Sequence, residues 1–325
     1  MRDLWPSIRL VGGVLVLVAL VWRFGTGPFT DAWRVTTWAA VAAALMLTAA
    51  ATLANAWRWR VVAASLGVPL TVAGSVTAYW RSQFLNTVLP GGILGDAHRG
   101  TLHGRDAGDL GAGLRATVWD RAVGQMVQVG VTLVALVLVP TPLRPYAAVA
   151  VAGIVLVAGV VWATASVRRS ALGGRPLDRA GRSAFSRDLV VLIRPGVSGR
   201  LALASCVSTA AYVTIFVIAV HSVGADVPAA STVPLALVVL VGSAIPLNVA
   251  GWGPREGVTA AVFGVAGLAS ADGLTVSIVF GVLSAVATVP GLVVLLADVV
   301  VRRRRVAVPP PERRLEPGLE EAHRG

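Results

Sequence analysis

Long apolar stretches alternate with short arginine-bearing ones along this chain. Apolar runs lie near 8–22, 35–54, 116–139, 146–166, 201–222 and 274–298. A helix rises about 1.5 Å per residue, so about 20 residues cross a hydrocarbon layer of about 30 Å. The short, evenly alternating segments of a membrane β-barrel are not the pattern here. The expected fold class is therefore all-α: a polytopic integral membrane protein with about six full spans.

Two regions resist a simple span assignment. Residues 61–98 and 232–269 are each too long for one crossing and short for two. Helix breakers interrupt both. In the first, Pro90, Gly91, Gly92 and Gly95 lead into Asp96 and Arg99. In the second, Pro246, Gly251, Gly253 and Pro254 lead into Arg255 and Glu256. In each, a glycine follows the first proline by five positions and an arginine follows it by nine. Lipid cannot hydrogen-bond a broken backbone, so such breaks need protein or a water-filled cavity around them. Matched breaks in two halves predict a transporter made of related halves, with its site where they meet.

Charge sets the expected topology. Arginines crowd residues 167–200 and the flank Arg302–Arg305, and others occupy 99–115 and positions 58 and 60. Basic loops stay cytoplasmic. All four regions share that side only if 61–98 enters and leaves from the cytoplasm and 232–269 enters and leaves from outside. The expectation is two opposed re-entrant helical hairpins, both termini inside, in the plasma membrane. The external loops then carry Arg23, Arg34 and Arg144. Residues 1–305 form the membrane domain, and 306–325, with its three consecutive prolines, reads as a disordered cytoplasmic tail.

Composition agrees. The chain has 325 residues, of which 56% are hydrophobic and 14% charged, whereas a soluble domain carries about 25% charge. The net charge is +12, all of its basic residues being arginine. Those arginines flank apolar segments, which is the signature of membrane orientation and anionic headgroups and not of a nucleic-acid surface. The single Cys206 excludes an intrachain disulfide and reads as a small packing residue. Zincin, Walker A and nucleophile-elbow patterns are absent from the sequence. No catalytic residue, cofactor or metal is therefore expected.

The broken motifs carry the candidate chemistry. A half-helix starting after Gly95 would aim its free amides at an anion. Arg99 would add a forked, permanently charged donor suited to phosphate, unless it simply anchors a turn at the cytoplasmic face. Asp96 is placed to pair with an arginine when the site is empty. Histidine is the residue type that changes charge near neutral pH, but His98 alone is thin support for a proton relay. Pro254 fits the first position of a helix. Glu256 then complements the helix start and Arg255 opposes it, so Arg255 needs an anionic partner, either a ligand or an internal acid. Asp120 and Arg121 pair with the motif residues or with each other. Arg81 and Asn86 are candidates to line the path. Trp57 to Arg60 alternate aromatic and basic residues and read as an interfacial anchor. Asp272 is expected in a loop and Asp298 at the inner end of the last span.

These residues resemble a known family. Asn55 to Arg60, Phe84 to Gly92, Gly95-Asp96 with Arg99, Trp119-Asp120-Arg121, and Pro246 with Gly251 to Gly257 are similar to the flippase-like transmembrane domain of lysylphosphatidylglycerol synthases. The similarity covers roughly residues 10–300. In the two-domain proteins a soluble domain makes the aminoacylated lipid and the membrane domain translocates it. This chain has only a short tail after Arg305, so the synthase activity is not carried over. The resemblance implies lipid translocation, with Asp96, Arg99, Asp120, Arg121, Arg255 and Glu256 as the polar core. The expected partners are a membrane lipid and a separately encoded lipid-synthesis enzyme. Two other readings stay open: an accessory subunit of an envelope-lipid synthesis complex, and a membrane-embedded transferase acting on a lipid carrier.

Overall fold

Threonine and aspartate caps set where the helices begin. Thr37 accepts a hydrogen bond from the Ala40 amide at 3.2 Å, Thr71 one from Gly74 at 3.1 Å, and Asp109 one from Ala112 at 2.8 Å. The computed structural model describes residues 27–89, 92–146, 176–243 and 254–307. Within them the secondary structure is helical, with no strand. In chain order the helices are α1 (Gly27–Val35), α2 (Trp38–Ser65), α3 (Val72–Val88), α4 (Leu94–Asp106), α5 (Leu110–Leu138), α6 (Pro176–Leu192), α7 (Pro195–Val223), α8 (Ala229–Gly242), α9 (Pro254–Val265), α10 (Ser270–Ala287) and α11 (Pro290–Ala307).

Four stretches are long and apolar enough to cross a membrane: Trp38–Ser65, Leu110–Leu138, Pro195–Val223 and Ser270–Asp298. The last is interrupted at Thr288 and Val289, just before Pro290, whose missing amide hydrogen and fixed φ disfavour a continuous helix. The expected spans at 8–22 and 146–166 lie outside the described residues, apart from Tyr146. The arginine-rich 167–200 region is not all loop, since α6 occupies much of it.

The layout repeats. Helices α2 to α5 run long, short, short, long, and α7 to α9 followed by the apolar stretch Ser270–Asp298 run the same way. The long helices α2 and α7 pack against each other at the centre. The second short helix of each block lies on the next long one, α4 on α5 and α9 on α10. The first short helix leans on the other block, α3 on α11 and α8 on α5. The shared core is aliphatic and aromatic, with Ile215 and Phe216 of α7, Leu235 of α8, Phe263 of α9 and Phe280 of α10 packed together.

The first broken region is shifted from its expected place. Helix α2 continues through Arg60 to Ser65, so the paired short helices occupy 72–106 and not 61–98. Arg99 is thereby inside a helix arm and not in a cytoplasmic loop. Gly92 has φ 59°, in the left-handed region that favours glycine. At Gly95 a Cβ would collide with the backbone carbonyl of Ser82, so α4 crosses α3 only because that side chain is absent. Pro90, Gly91, Pro246, Gly251 and Gly253 lie outside the described residues. Pro254 opens α9, as expected. Asp272 is in the first turn of α10 and not in a loop, and Cys206 is exposed on α7 instead of packed.

Gly95→Ala is expected to cost about 1–3 kcal/mol, as overpacking does. Gly130→Ala, in α5 with open space around it, is the control and should be neutral or stabilising by about 0.5–1 kcal/mol. Thermal unfolding of the two purified variants compares them directly.

Candidate functional site

Asp120 is the centre of the site. It sits one-third of the way along α5 and is 0% exposed. A carboxylate in that position must be matched by donors. Three reach it from three other helices. Arg58 Nε of α2 donates to Oδ1 at 2.8 Å, and to Oδ2 the Tyr79 hydroxyl of α3 donates at 2.9 Å and Arg99 Nη2 of α4 at 3.1 Å. Arg58 Nη1 also donates to Ser205 Oγ of α7 at 3.1 Å, which ties the two blocks together. Room for this guanidinium comes from Gly124, where a Cβ would lie 2.8 Å from Arg58 Nη1.

The network continues through Asp96. Its Oδ1 accepts from Arg99 Nη2 at 3.1 Å and from Ser82 Oγ at 2.9 Å, and Arg121 forms an ion pair with its Oδ2. The result is an alternating chain, Arg121, Asp96, Arg99, Asp120, Arg58, carrying three positive charges against two negative. Arg99 is 1% exposed. Its Cζ lies 4.3 Å from the Trp59 ring centroid and 4.1 Å from that of Tyr79, so aromatic faces take up its flat sides. Its Nε and Nη1 have no hydrogen-bond partner among the described residues.

A polar cavity of about 250 Å³ opens on this network. Besides Arg58, Arg99, Arg121 and Asp96, its wall carries the amides Asn55, Gln83, Asn86, Gln125 and Gln128 and the hydroxyls of Tyr79, Ser205, Ser208, Thr209 and Tyr212. A second cavity, of about 400 Å³, is lined by Leu70, Thr77, Arg81, His103, Asp106 and Asp298, among others. Arg99 is the one described residue lining both.

The expected site residues thus divide. Asp96, Arg99, Asp120 and Arg121 form one network, so the alternative in which Asp120 and Arg121 pair only with each other fails. Asn86 lines the polar cavity, and its Oδ1 also accepts from the Gly95 amide at 2.8 Å. That contact engages one amide of the helix start expected to face an anion, and Asp96 lies in the same first turn. Arg81 lines the second cavity and pairs with Asp298, which bridges helices in addition to ending a span. Arg255 and Glu256 line neither cavity. Glu256 is buried and accepts from Arg255 Nε at 3.0 Å. The Arg255 guanidinium lies 5.5 Å from the Phe280 ring centroid, in space left by Gly281. The internal acid partner, not a shared cavity with Arg99, is what the described residues show for Arg255.

Arg58 is the residue that sequence reasoning misplaced. Reading Trp57 to Arg60 as an interfacial anchor fails, since Arg58 and Trp59 are buried. The signal was available: alternate residues on a helix face opposite ways, whereas Asn55, Arg58, Trp59 and Val62 share one face. Tyr79, Ser205 and the glutamines carried no comparable signal.

A helical bundle that holds a polar, arginine-lined cavity among its long apolar helices defines a membrane protein with an internal polar site. The chain belongs to the family described as lysylphosphatidylglycerol synthase TM region, whose model matches residues 7–291. No curated protein and no solved structure matches it.

Asp120→Ala would strand Arg58 and Arg99 without their shared acid. Breaking a buried pair in this way costs about 3–5 kcal/mol. The variant should show a clearly lowered melting temperature in detergent, with Asp120→Asn falling between it and the parent.

Proposed function

We propose that this protein translocates an anionic, phosphate-bearing lipid across the plasma membrane. The observation that carries the reading is the polar cavity, set among membrane-spanning helices, with three arginines, Arg58, Arg99 and Arg121, and one acid, Asp96, on its wall. A charge at membrane depth is costly and marks a substrate path or a pairing partner. Here each arginine has an acid partner, but three arginines share two acids, which leaves the network one net positive charge to offer an anion. A headgroup phosphate would enter the cavity while its acyl chains stay in lipid. The reading is of a transporter without covalent chemistry.

The hairpin geometry supports it. The arms of the two breaks have 17 and 13 residues in α3 and α4, and 14 and 12 in α8 and α9. The shortest, at about 1.5 Å per residue, reaches only about 18 Å and falls short of a full crossing. Each pair therefore serves as a re-entrant hairpin, the two entering from opposite faces with both termini cytoplasmic. The exchange of α3 onto α11 and α8 onto α5 is the interlock expected of inverted halves. Because Arg99 lies between the two cavities, passage from one to the other requires that its guanidinium leave its aromatic seat.

Vesicles reconstituted with the purified chain and a fluorescent anionic phospholipid test the reading. Lipid should become accessible to an external quencher faster than in empty vesicles. Arg121→Gln, which alters the most exposed member of the network, should slow it by about tenfold, the effect of losing one charged contact of about 1.4 kcal/mol. Rates equal to those of empty vesicles for every anionic lipid would refute the proposal.

A further inference from the structure

Helix α6 presents three different sides. Ala184, Asp188 and Leu192 recur every four residues and are buried against the bundle. Turned away from them, Phe185, Leu189, Val190 and, just past the helix end, Ile193 are 42% to 62% exposed. On the remaining side Arg187 is exposed, and so is Arg194 beyond the helix. A contiguous apolar strip of this kind marks a surface that something covers. Asp188 fixes the level at which it lies. Its Oδ2 accepts from Arg115 Nε at 2.9 Å and from Trp119 Nε1 at 3.2 Å, both of α5, and the Phe185 ring sits 5.8 Å from that of Trp119. From Arg115 to its end at Leu138, α5 rises about 35 Å, slightly more than a hydrocarbon layer of about 30 Å. Arg115 therefore stands at the edge of that layer, and the clamp holds α6 there. The outer side of α5, with Leu114, Val118 and Met126, is itself exposed, so this edge is the lipid-facing rim.

Lipid or protein could cover such a strip, and charge decides between them. Residues 167–200 carry eight arginines against two aspartates, and one of those aspartates is already engaged by Arg115 and Trp119. A surface of that sign attracts an anionic leaflet and repels a second copy of itself. An apolar strip flanked by arginine, with tryptophan at the boundary, is also the pattern of a helix lying in the membrane interface. We infer that α6 lies in the cytoplasmic interface of the membrane and binds its anionic lipid surface. Phe185, Leu189, Val190 and Ile193 rest among the acyl chains, while Arg187 and Arg194 meet the phosphates. The partner here is the bilayer surface and not a cargo, so the inference stands apart from the polar cavity and from transport. Trp119 immediately precedes Asp120, so the same clamp holds the turn of α5 that carries the buried carboxylate at a set depth.

Fluorescence quenching on the full-length chain in vesicles tests this. Cys206→Ser removes the one native thiol, and a single added cysteine carries a bimane label. Labels at Leu189→Cys and Ile193→Cys should be quenched by lipids brominated on their acyl chains and shielded from aqueous iodide. A label at Arg187→Cys should behave in the opposite way. Brominated phosphatidylglycerol and brominated phosphatidylcholine are then compared at equal mole fraction, and the Leu189 position should prefer the anionic lipid about fivefold. The preference should collapse in about 1 M salt, where the screening length falls to about 3 Å. It should also be lost in Arg187→Gln/Arg194→Gln, and the salt series serves if that variant does not fold. Iodide reaching the Leu189 label as readily as the Arg187 one would overturn the inference, as would equal quenching by the two lipids. A Leu189 label shielded from both iodide and lipid would overturn it as well, in favour of a protein partner on this strip.

Discussion

One buried carboxylate organises the first half of this molecule. Asp120 is reached by donors from α2, α3 and α4, and through Arg58 by the hydroxyl of Ser205 on α7. Between helices in lipid, hydrophobic burial gives little reason for one packing over another, because the surrounding tails are as apolar as the side chains. A charge that must find its partners gives a strong one. Any sliding of α4 along α5, or of α2 against α7, separates groups whose unpaired burial is expensive. The network thus fixes the register of five helices, and the cavity is what remains on its open side.

The two blocks share a plan but not a chemistry. In both, a short helix begins at a break and carries an arginine within its first two turns. In the first block that arginine, Arg99, is drawn toward Asp120 on the following long helix. In the second, Arg255 meets its neighbour Glu256, with Phe280 and Gly281 of α10 beside it. Repetition accounts for the placement of the helices, while the acid partner decides where each guanidinium goes. Both cavities described above are lined by α3 and α4 of the first hairpin, which is consistent with that difference.

What could be read from the sequence follows from range. The long apolar runs were legible because hydropathy over some twenty residues is a local quantity. The breaks were legible because Pro90 and the glycines forbid a continuous helix whatever surrounds them. The seat of Asp96 and Arg99 in one network with Asp120 was partly legible, since charges at membrane depth need partners. Helix ends were not: α2 runs on to Ser65 because Arg58 and Trp59 find buried partners, which only tertiary contacts reveal. The pairing of Arg81 with Asp298 spans most of the chain, and no spacing rule links them. Nor did any pattern mark the glutamines of α5, which differ from surface glutamines only in the face they present.

A transport site must bind well enough to admit its cargo and weakly enough to release it. Three arginines around an empty cavity would hold a phosphate too firmly and would themselves be poorly satisfied without one. Asp96 resolves both difficulties. It already occupies Arg121 and Arg99, and its side chain is 14% exposed where Asp120 is fully enclosed. In the proposed cycle an incoming phosphate competes with a resident carboxylate for the same donors, so its net gain is a difference between two similar interactions. Asp120, absent from the cavity wall, keeps Arg58 from following it out. One aspartate holds the frame and the other is exchangeable, and that division of labour needs both acids on the same chain of arginines.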